Sequence, residues 1–483
     1  MGATRQTASR EPFALDADSL ALLARNEEKA LSLARRSGRT AYASVTAAVD
    51  PELDFSAVVL AAKGPGERFF CLEQPDRDGF ALAALGNAAT LKATGGGRLT
   101  ELAEAGRELA SRTVSDGRPD REAPPATGPV LVGGFSFAPD GGATPEWRSL
   151  APGQLVLPTL SFARGRGEAR MTVCVPVAPD DAPGEAVENV RVRVADLRPA
   201  HMPLLDPEPV ERARVVGAAP PAHFESAVAR AVERIRAGEL DKVVLAREVR
   251  VHAARRLEPA PVFDALRAVF PACYCWCAGV GEQAFLGASP ELLVRREGAR
   301  AQTVALAGTT RRSADPAVDD HLGEQLKRSR KDREEQAIVA RRIERTLAPV
   351  SLWVAAAEEP GLAKVQNVQH LATPIRAQLK EPLSALELAG LLHPTPAVCG
   401  EPREVAEPLI PALEGLDRGW YAGGIGWTDL AEDGEFCVGL RCALLEGSTA
   451  HLYAGCGIVR DSVPAEELAE SEAKLQALLP LLS

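Results

Sequence analysis

The sequence predicts an α+β fold with large, mostly antiparallel sheets. Three observations carry that expectation: strand-period segments joined as hairpins through glycine, helix-period segments interspersed between them, and 46% hydrophobic with 25% charged residues over 483 positions. A chain of this length supports two or three structural units and buries a large core without staples. The same composition excludes disorder, a collagen repeat and a small disulfide scaffold. The 55 Lys+Arg stand against 66 Asp+Glu, a net charge of -11. That balance argues against a nucleic-acid binder, which needs a basic surface to neutralise phosphates. An anionic ligand would have to be held by a few placed cations.

In chain order, Leu20 to Ser37 reads as a helix, and Val130 to Phe137 and Gln154 to Phe162 read as strands bounded by glycine and proline turns. Proline and glycine interrupt both periods in Ser115 to Pro129 and in Leu197 to Ala222, which read as joints. The second joint divides an N-terminal α+β region, residues 1–210, from a second region, 211–483. Phe224, Val228, Val232 and Ile235 mark one face of a helix that stops at Gly238, and Lys242 to Val251 follows as a strand. Ala284 to Leu306 reads as a strand pair turning near Glu297-Gly298, and about Asp319 to Leu347 as one long charged helix. Phe436 to Leu445 and Ala450 to Ile458 form a hairpin around Gly447-Ser448. Pro464 opens a terminal helix in the position where its missing N–H costs nothing. No internal repeat is found.

The nine cysteines contain no CxxC pair, so neither a zinc site nor a disulfide framework is expected. In Cys273-Tyr-Cys275-Trp-Cys277 the period of two puts all three sulfurs on one face of a strand. That face reads as buried and reduced, because free Cys packs as a small hydrophobe. The N-terminus lacks an apolar signal core, and Met1-Gly2 lacks the Ser or Thr at position 6 that myristoylation would want. The uncharged run Ala268 to Gly281 is too short to span a bilayer and contains Pro271. A cytoplasmic protein without membrane association is expected.

There is no P-loop, no HExxH and no GxSxG, and Gly455-Cys-Gly457 lacks the third glycine of a dinucleotide fingerprint. What remains are polar groups in apolar surroundings. Lys242 precedes Val243-Val-Leu-Ala246, a run apolar on both faces. Desolvation there would lower its pKa toward general-base range; the alternative is a solvated strand-end lysine. Glu291, in Gly287-Ala-Ser-Pro-Glu291, lies between a strand and the next apolar run. Burial would raise its pKa and suit it to donate a proton; the alternative is a turn carboxylate. Arg441 reads as lying on the strand face opposite Phe436, Val438, Leu440, Cys442 and Leu444, beside Gly439 and Ala443, where small neighbours leave room for a ligand. Ala454-Gly-Cys-Gly457 on the facing strand permits close backbone approach, so Arg441 and backbone N–H groups could hold a carboxylate. The alternative is a rim arginine in a surface ion pair. Glu335 sits near Ile338, Val339 and Ile343 on the long helix, and Glu470 lies one turn after Glu467 and one turn before Lys474. Carboxylates from two helices can share a hard cation such as Mg²⁺; taken alone, Glu470 and Lys474 also read as an exposed i, i+4 pair.

Ordered along the chain stand Leu240-Asp-Lys-Val-Val-Leu-Ala-Arg247, Gly287-Ala-Ser-Pro-Glu-Leu292, Leu306-Ala-Gly-Thr309, Ser329-Arg-Lys-Asp-Arg-Glu-Glu335 and Val368-Gln-His-Leu-Ala-Thr-Pro374. After them come His393-Pro-Thr-Pro-Ala-Val-Cys-Gly-Glu-Pro402, Asp417-Arg-Gly-Trp-Tyr-Ala-Gly423 and Gly455-Cys-Gly-Ile-Val459. Over about Ala222 to Leu482 this set resembles the chorismate-utilising enzymes, which make isochorismate, anthranilate, aminodeoxychorismate or salicylate. The earlier half resembles the isochorismate synthase type more loosely, through Gly133-Gly-Phe-Ser-Phe137 and Trp147. The resemblance implies that family's fold, large mostly antiparallel sheets packed with helices as an α/β sandwich, with residues 211–483 as the chorismate-binding catalytic region.

The resemblance also implies roles. Lys242 would be the general base that activates water, where the ammonia-using relatives tend to have glutamine. Glu291 would be the acid that protonates the departing ring hydroxyl, and Glu335 and Glu470 the two carboxylates for Mg²⁺. Arg441 and Lys474 would hold substrate carboxylates, with His370, Gly308, Gly455 and Gly457 shaping the site. The sequence departs from the family pattern at Arg330, where glutamate is frequent, and at Gln336, where histidine usually follows the metal carboxylate; both bear on the groups behind the metal ligands. His393-Pro-Thr-Pro-Ala-Val is close to the isochorismate synthase form. The expected activity is therefore Mg²⁺-dependent isomerisation of chorismate to isochorismate, serving menaquinone or siderophore biosynthesis, without an obligatory glutaminase subunit. The alternatives are a salicylate synthase, an amine-using anthranilate or aminodeoxychorismate synthase component, and a catalytically silent chorismate-binding protein.

Overall fold

Strands from both ends of the sequence assemble two sheets, one of 13 strands and one of 10, in a computed structural model that describes residues 12–117, 122–206, 212–366 and 368–483. The expectations for Met1-Gly2 lie outside the described residues, as do 118–121 and 207–211 within the two expected joints. Among the described strands Ala41–Ala48 runs parallel to Thr113–Val114, while the long pairings are antiparallel, as the hairpin signals predict. The sheets lie face to face over one apolar core, to which the larger contributes Phe70, Trp276 and Phe285 and the smaller Phe135, Ile425 and Phe436. The outer face of the larger sheet packs under the helices Ala17–Ser37, Phe55–Ala62 and Pro259–Val269 through Leu23, Val58 and Phe263.

Strand Tyr274–Val280 shows how the alternation works. Tyr274 and Trp276 enter the core between the sheets, while Cys273, Cys275 and Cys277 enter the layer under the helices. All nine cysteines are buried and free. Regions 1–210 and 211–483 build the sheets jointly: Arg68–Gln74 pairs with Tyr274–Val280, and Val130–Phe135 with Gly424–Asp429. No helix of the described residues is long and apolar enough to cross a membrane.

Three strands read as continuous from sequence are broken, each where the chain passes from one sheet to the other. Gln154 to Phe162 becomes Gly153–Leu157 in the smaller sheet and Leu160–Gly165 in the larger, parted at Pro158. Of the pair Ala284 to Leu306, the turn near Glu297-Gly298 is present, but its first strand becomes Gln283–Ser289 in the larger sheet and Leu292–Glu297, hairpinned with Arg300–Arg311, in the smaller, parted at Pro290. Phe436 to Leu445 becomes Gly434–Val438 and Cys442–Glu446, parted at Gly439 to Arg441. The crossing segments are short and flanked on both sides by apolar strand residues, so each break shows in the sequence only as two or three residues, Pro158-Thr159, Pro290-Glu291 and Gly439-Leu440-Arg441. Proline's missing N–H marks two of them.

The long charged helix is also two, Pro316–Arg328 and Arg330–Leu347. Ser329 adopts an extended conformation between them and caps the second by accepting from Asp332 N–H. Serine is favoured at that position because its hydroxyl satisfies an otherwise orphaned N–H. Within the expected joint Leu197 to Ala222, residues Arg214–Gly217 form an edge strand on Lys242–His252.

Candidate active site

Two of the crossings, together with strands of both sheets and two helices, wall a cavity. Its lining includes Glu291, Gly308, Glu335, His370, Arg441, Gly455, Gly457, Glu470 and Lys474. The structure therefore collects nine of the ten residues singled out in the sequence. Lys242, the tenth, is fully buried and stands behind the wall.

Each placement has a local cause. Glu291 falls in the two-residue crossing between Ser289 and Leu292, where its N–H is held by Ser289 Oγ at 3.2 Å. Arg441 is not on a strand face as read from sequence; it occupies the other crossing at φ 48°, a left-handed conformation costly for a residue with a Cβ. Gly308, at φ 72°, sits in a bulge between Ala307 and Thr309, and a Cβ there would come within 2.9 Å of Asp332 Cβ. His370 lies on the adjacent strand Val368–Leu379, Glu335 on helix Arg330–Leu347, and Glu470 and Lys474 on helix Pro464–Leu475. Gly455 and Gly457 face Ala246 and Val244 on the Lys242 strand. A Cβ at Gly457 would lie 2.2 Å from Glu335 Oε1 and 2.9 Å from Lys242 Cε, so only glycine lets those two side chains meet there.

Charge is arranged in pairs. Lys242 Nζ lies 2.8 Å from Glu335 Oε1, an ion pair not aligned as a hydrogen bond. Lys474 Nζ lies 2.8 Å from Glu470 Oε1 and donates to Gly455 O at 2.8 Å. Burial raises the Glu470 carboxyl, but Lys474 outweighs it and holds the group below its usual range. Burial opposes the charge on Lys474, yet Glu470 holds its pKa above the ordinary value. Glu291 differs: burial pushes its carboxyl up to about 8, against the fields of Lys242, Lys474 and Arg441. A protonated carboxyl at neutral pH can donate a proton into the cavity.

Arg441 and His370 form a second unit. His370 Nδ1–H donates to Gly308 O at 3.2 Å, and its Nε2 accepts from Arg441 Nη2. Burial, with Arg441 and Lys474 nearby, holds the imidazole well below its usual pKa, so it stays neutral and can accept. Arg441 is 8% exposed, and its Nη1 has no hydrogen-bond partner among the described residues. A buried guanidinium with one free edge on a cavity is suited to a carboxylate. Arg441→Ala is expected to raise KM for an anionic substrate by about tenfold or more, the worth of one charged hydrogen bond. Steady-state saturation curves check it; an unchanged KM would return Arg441 to a structural role.

Carboxylates from two helices stand close enough to offer oxygens to a divalent cation. Glu335 and Glu470 line one cavity and both act on Lys331 and Lys474. The tightest cluster of potential ligands among the described residues is, however, Cys456, Glu467 and Glu470. The Cys456 thiol is pushed well up by burial and donates to Glu467 O at 3.2 Å, so it offers no thiolate. The oxygens that remain are hard donors, each neutralised by a lysine, with Glu467 on Lys331 at 3.0 Å. They fit a hard cation better than a soft one. Gln336 is spent elsewhere, donating to Ala305 O at 2.9 Å and Thr373 Oγ1 at 3.0 Å, and Arg330 is exposed.

Several wall residues carried no role in the sequence reading. Tyr421 and Tyr453 stack at 5.2 Å between centroids and Trp147 stacks on Tyr453 at 5.8 Å, so an N-terminal tryptophan supports the wall from behind. Arg418 reaches Glu414 and donates to Val398 O at 2.8 Å and Val244 O at 2.9 Å, tying the loop after His393 to the Lys242 strand. Arg418 and Tyr421 lie in the run Asp417 to Gly423 and Trp147 beside the Gly133 to Phe137 motif, none with an assigned role, and Tyr453 carried no sequence signal.

The fold is a two-sheet sandwich in which the crossings carry Glu291 and Arg441, one strand carries Lys242, and two helices carry Glu335 and Glu470 around one cavity. Residues 28–483 match the family model described as chorismate binding enzyme, and the chain belongs to that family. It is 37% identical over 413 residues to the salicylate biosynthesis isochorismate synthase of Pseudomonas aeruginosa, covering 85% of this chain and 84% of that one. It is 34% identical over 360 residues to isochorismate synthase MenF of Bacillus subtilis, covering 74% and 75%. Among solved structures, MenF of Escherichia coli, a menaquinone-specific isochorismate synthase, superposes with a TM-score of 0.75 at 28% identity, covering 96% of this chain and 100% of that one.

Proposed function

We propose that the chain is an isochorismate synthase, isomerising chorismate to isochorismate by adding water at one ring carbon while the hydroxyl across the diene leaves. The observation that carries the mechanism is a cavity lined by a carboxyl held protonated near neutral pH, Glu291, with the buried Lys242 directly behind its wall on Glu335. In its neutral form, after giving its proton to solvent, Lys242 Nζ takes a proton from the attacking water, and Glu291 gives its proton to the departing hydroxyl; return of a proton from Lys242 to Glu291 through solvent resets both, so no net proton is consumed. Arg441 and Lys474 hold substrate carboxylates, and neutral His370 orients Arg441 by accepting from it. Glu335 and Glu470 are the residues that would hold Mg²⁺, which supplies charge stabilisation to a ring carboxylate when bound. A lysine rather than glutamine at position 242 supports water over ammonia, and with it a chain that acts without a glutaminase subunit.

Incubation with chorismate and Mg²⁺, followed by product separation, tests this reading. Isochorismate is the expected product; salicylate with pyruvate, or an aminated product dependent on ammonium, would overturn it. Glu470→Gln is expected to weaken the apparent Mg²⁺ affinity by about 10- to 100-fold, read from metal titration. It is a cleaner variant than Glu335→Gln, which also strips Lys242 of its ion-pair partner. An unchanged titration would leave Glu470 as the salt-bridge partner of Lys474 alone.

A further inference from the structure

A second cavity, of about 410 Å³, lies behind the His393 loop and is lined by Gly96, Arg98, Thr100, Leu391, His393 and Arg403 among others. It shares no wall residue with the candidate active site.

Arg98 is 4% exposed. Its guanidinium donates only to carbonyls, to Ser136 O at 2.9 Å and Gly95 O at 3.3 Å, and its Nε has no partner among the described residues. No described carboxylate comes within ion-pairing distance of it, and burial pulls its pKa down to about 10. A buried cation without a counter-ion is costly unless an anion is supplied.

Arg98 also opens helix Arg98–Ser111, whose cap is Gly97 with no side chain. Arg98 N–H goes to Gly95 O and Glu101 N–H to Gly97 O, while those of Leu99 and Thr100 receive no side-chain cap; the Glu101 carboxylate lies in the same first turn, beside Gly97. The helix dipole adds positive potential at the same end. Arg403 joins from the facing side, held by Glu407 and donating to His393 O at 3.0 Å. The one carboxylate in the wall, Glu387, is already spent on Ser384 and Arg107. His393 Nε2–H donates to Phe137 O at 2.9 Å, which leaves its unpartnered Nδ1 as an acceptor for a hydroxyl. Leu99, Phe137 and Leu383 make the remaining wall apolar.

We propose that this cavity is a binding site for a small organic anion. Its carboxylate or phosphate head sits on Arg98 and the helix N-terminus, and its apolar, hydroxylated body lies against Leu99, Leu383 and His393.

The test is calorimetric titration of the full chain at constant ionic strength with 3-hydroxybenzoate, phenyl phosphate and inorganic phosphate, which separate a carboxylate head from a phosphate head and the body from both. Saturable one-to-one binding of one of the two aromatic probes is expected, surviving Arg441→Ala, a substitution in the candidate active site. It should weaken about tenfold or more in Arg98→Gln and in Leu391→Glu, which places a like charge in the wall. Leu391 is 42% exposed, so its substitution keeps the fold even if Arg98→Gln does not. The proposal is overturned by any of three results: no saturable binding of either aromatic probe up to about 10 mM, binding that Arg441→Ala abolishes, or binding that Leu391→Glu leaves unchanged.

Discussion

Lys242→Gln is expected to lower isochorismate formation by roughly 10² or more while chorismate still binds, because the amide has similar length and polarity but cannot accept the proton of water. The apolar run Val243 to Ala246 beside Lys242 by itself leads to an expectation of little effect on stability. The structure changes that expectation: Lys242 is fully buried and faces Glu335 at 2.8 Å, so the variant leaves a mostly buried carboxylate without its partner. A loss of a few kcal/mol is expected in denaturant titration. The double variant Lys242→Gln/Glu335→Gln separates the two effects, since it removes the stranded charge and recovers stability without recovering turnover. A folded Lys242→Gln protein that still makes isochorismate at near-normal rate would sink the assigned base.

Glu291→Gln is expected to cost about 10² to 10⁴ in turnover, the range for removing a positioned general acid. Its signature is in the pH dependence. With the carboxyl pushed up to about 8 by burial, the wild type holds the proton below that pH and loses its acid, and its rate, as pH rises through it. The stability effect has the same direction. The folded state binds this proton more tightly than the unfolded chain, so the stabilisation is complete below the unfolded value of 4.5 and disappears as pH rises through about 8. Glu291→Gln removes that dependence, and the variant should lose less melting temperature than the wild type between pH 6 and pH 9, conditions chosen to bracket the shifted value of about 8. A rate profile flat across this interval in the wild type would show that Glu291 is not the acid.

These expectations combine residues named from the sequence with contacts that it does not contain. Hairpins such as Cys442–Glu446 with Thr449–Ile458 were legible because the period of two and the Gly447 turn are local properties. The helix ending at Gly238 was legible for the same reason. The three sulfurs of Cys273, Cys275 and Cys277 on one face, in and just before Tyr274–Val280, followed from alternation alone. The crossings were not legible. The break before Leu292 showed only as Pro290-Glu291 between two apolar runs, with no sign that it changes sheets, while 438–442 read as uninterrupted strand, so Arg441 was assigned to a strand face that does not exist.

What the sequence by itself determined, then, is the set of elements, their antiparallel character and the polar residues placed in apolar runs, because propensity, periodicity and turn chemistry act over a few neighbours. Tertiary structure decided which of those residues meet. Lys242 pairs with Glu335 across 93 positions, Glu291 is kept protonated by burial and Trp147 supports Tyr453, because Coulomb fields, desolvation and packing depend on distance in space rather than along the chain.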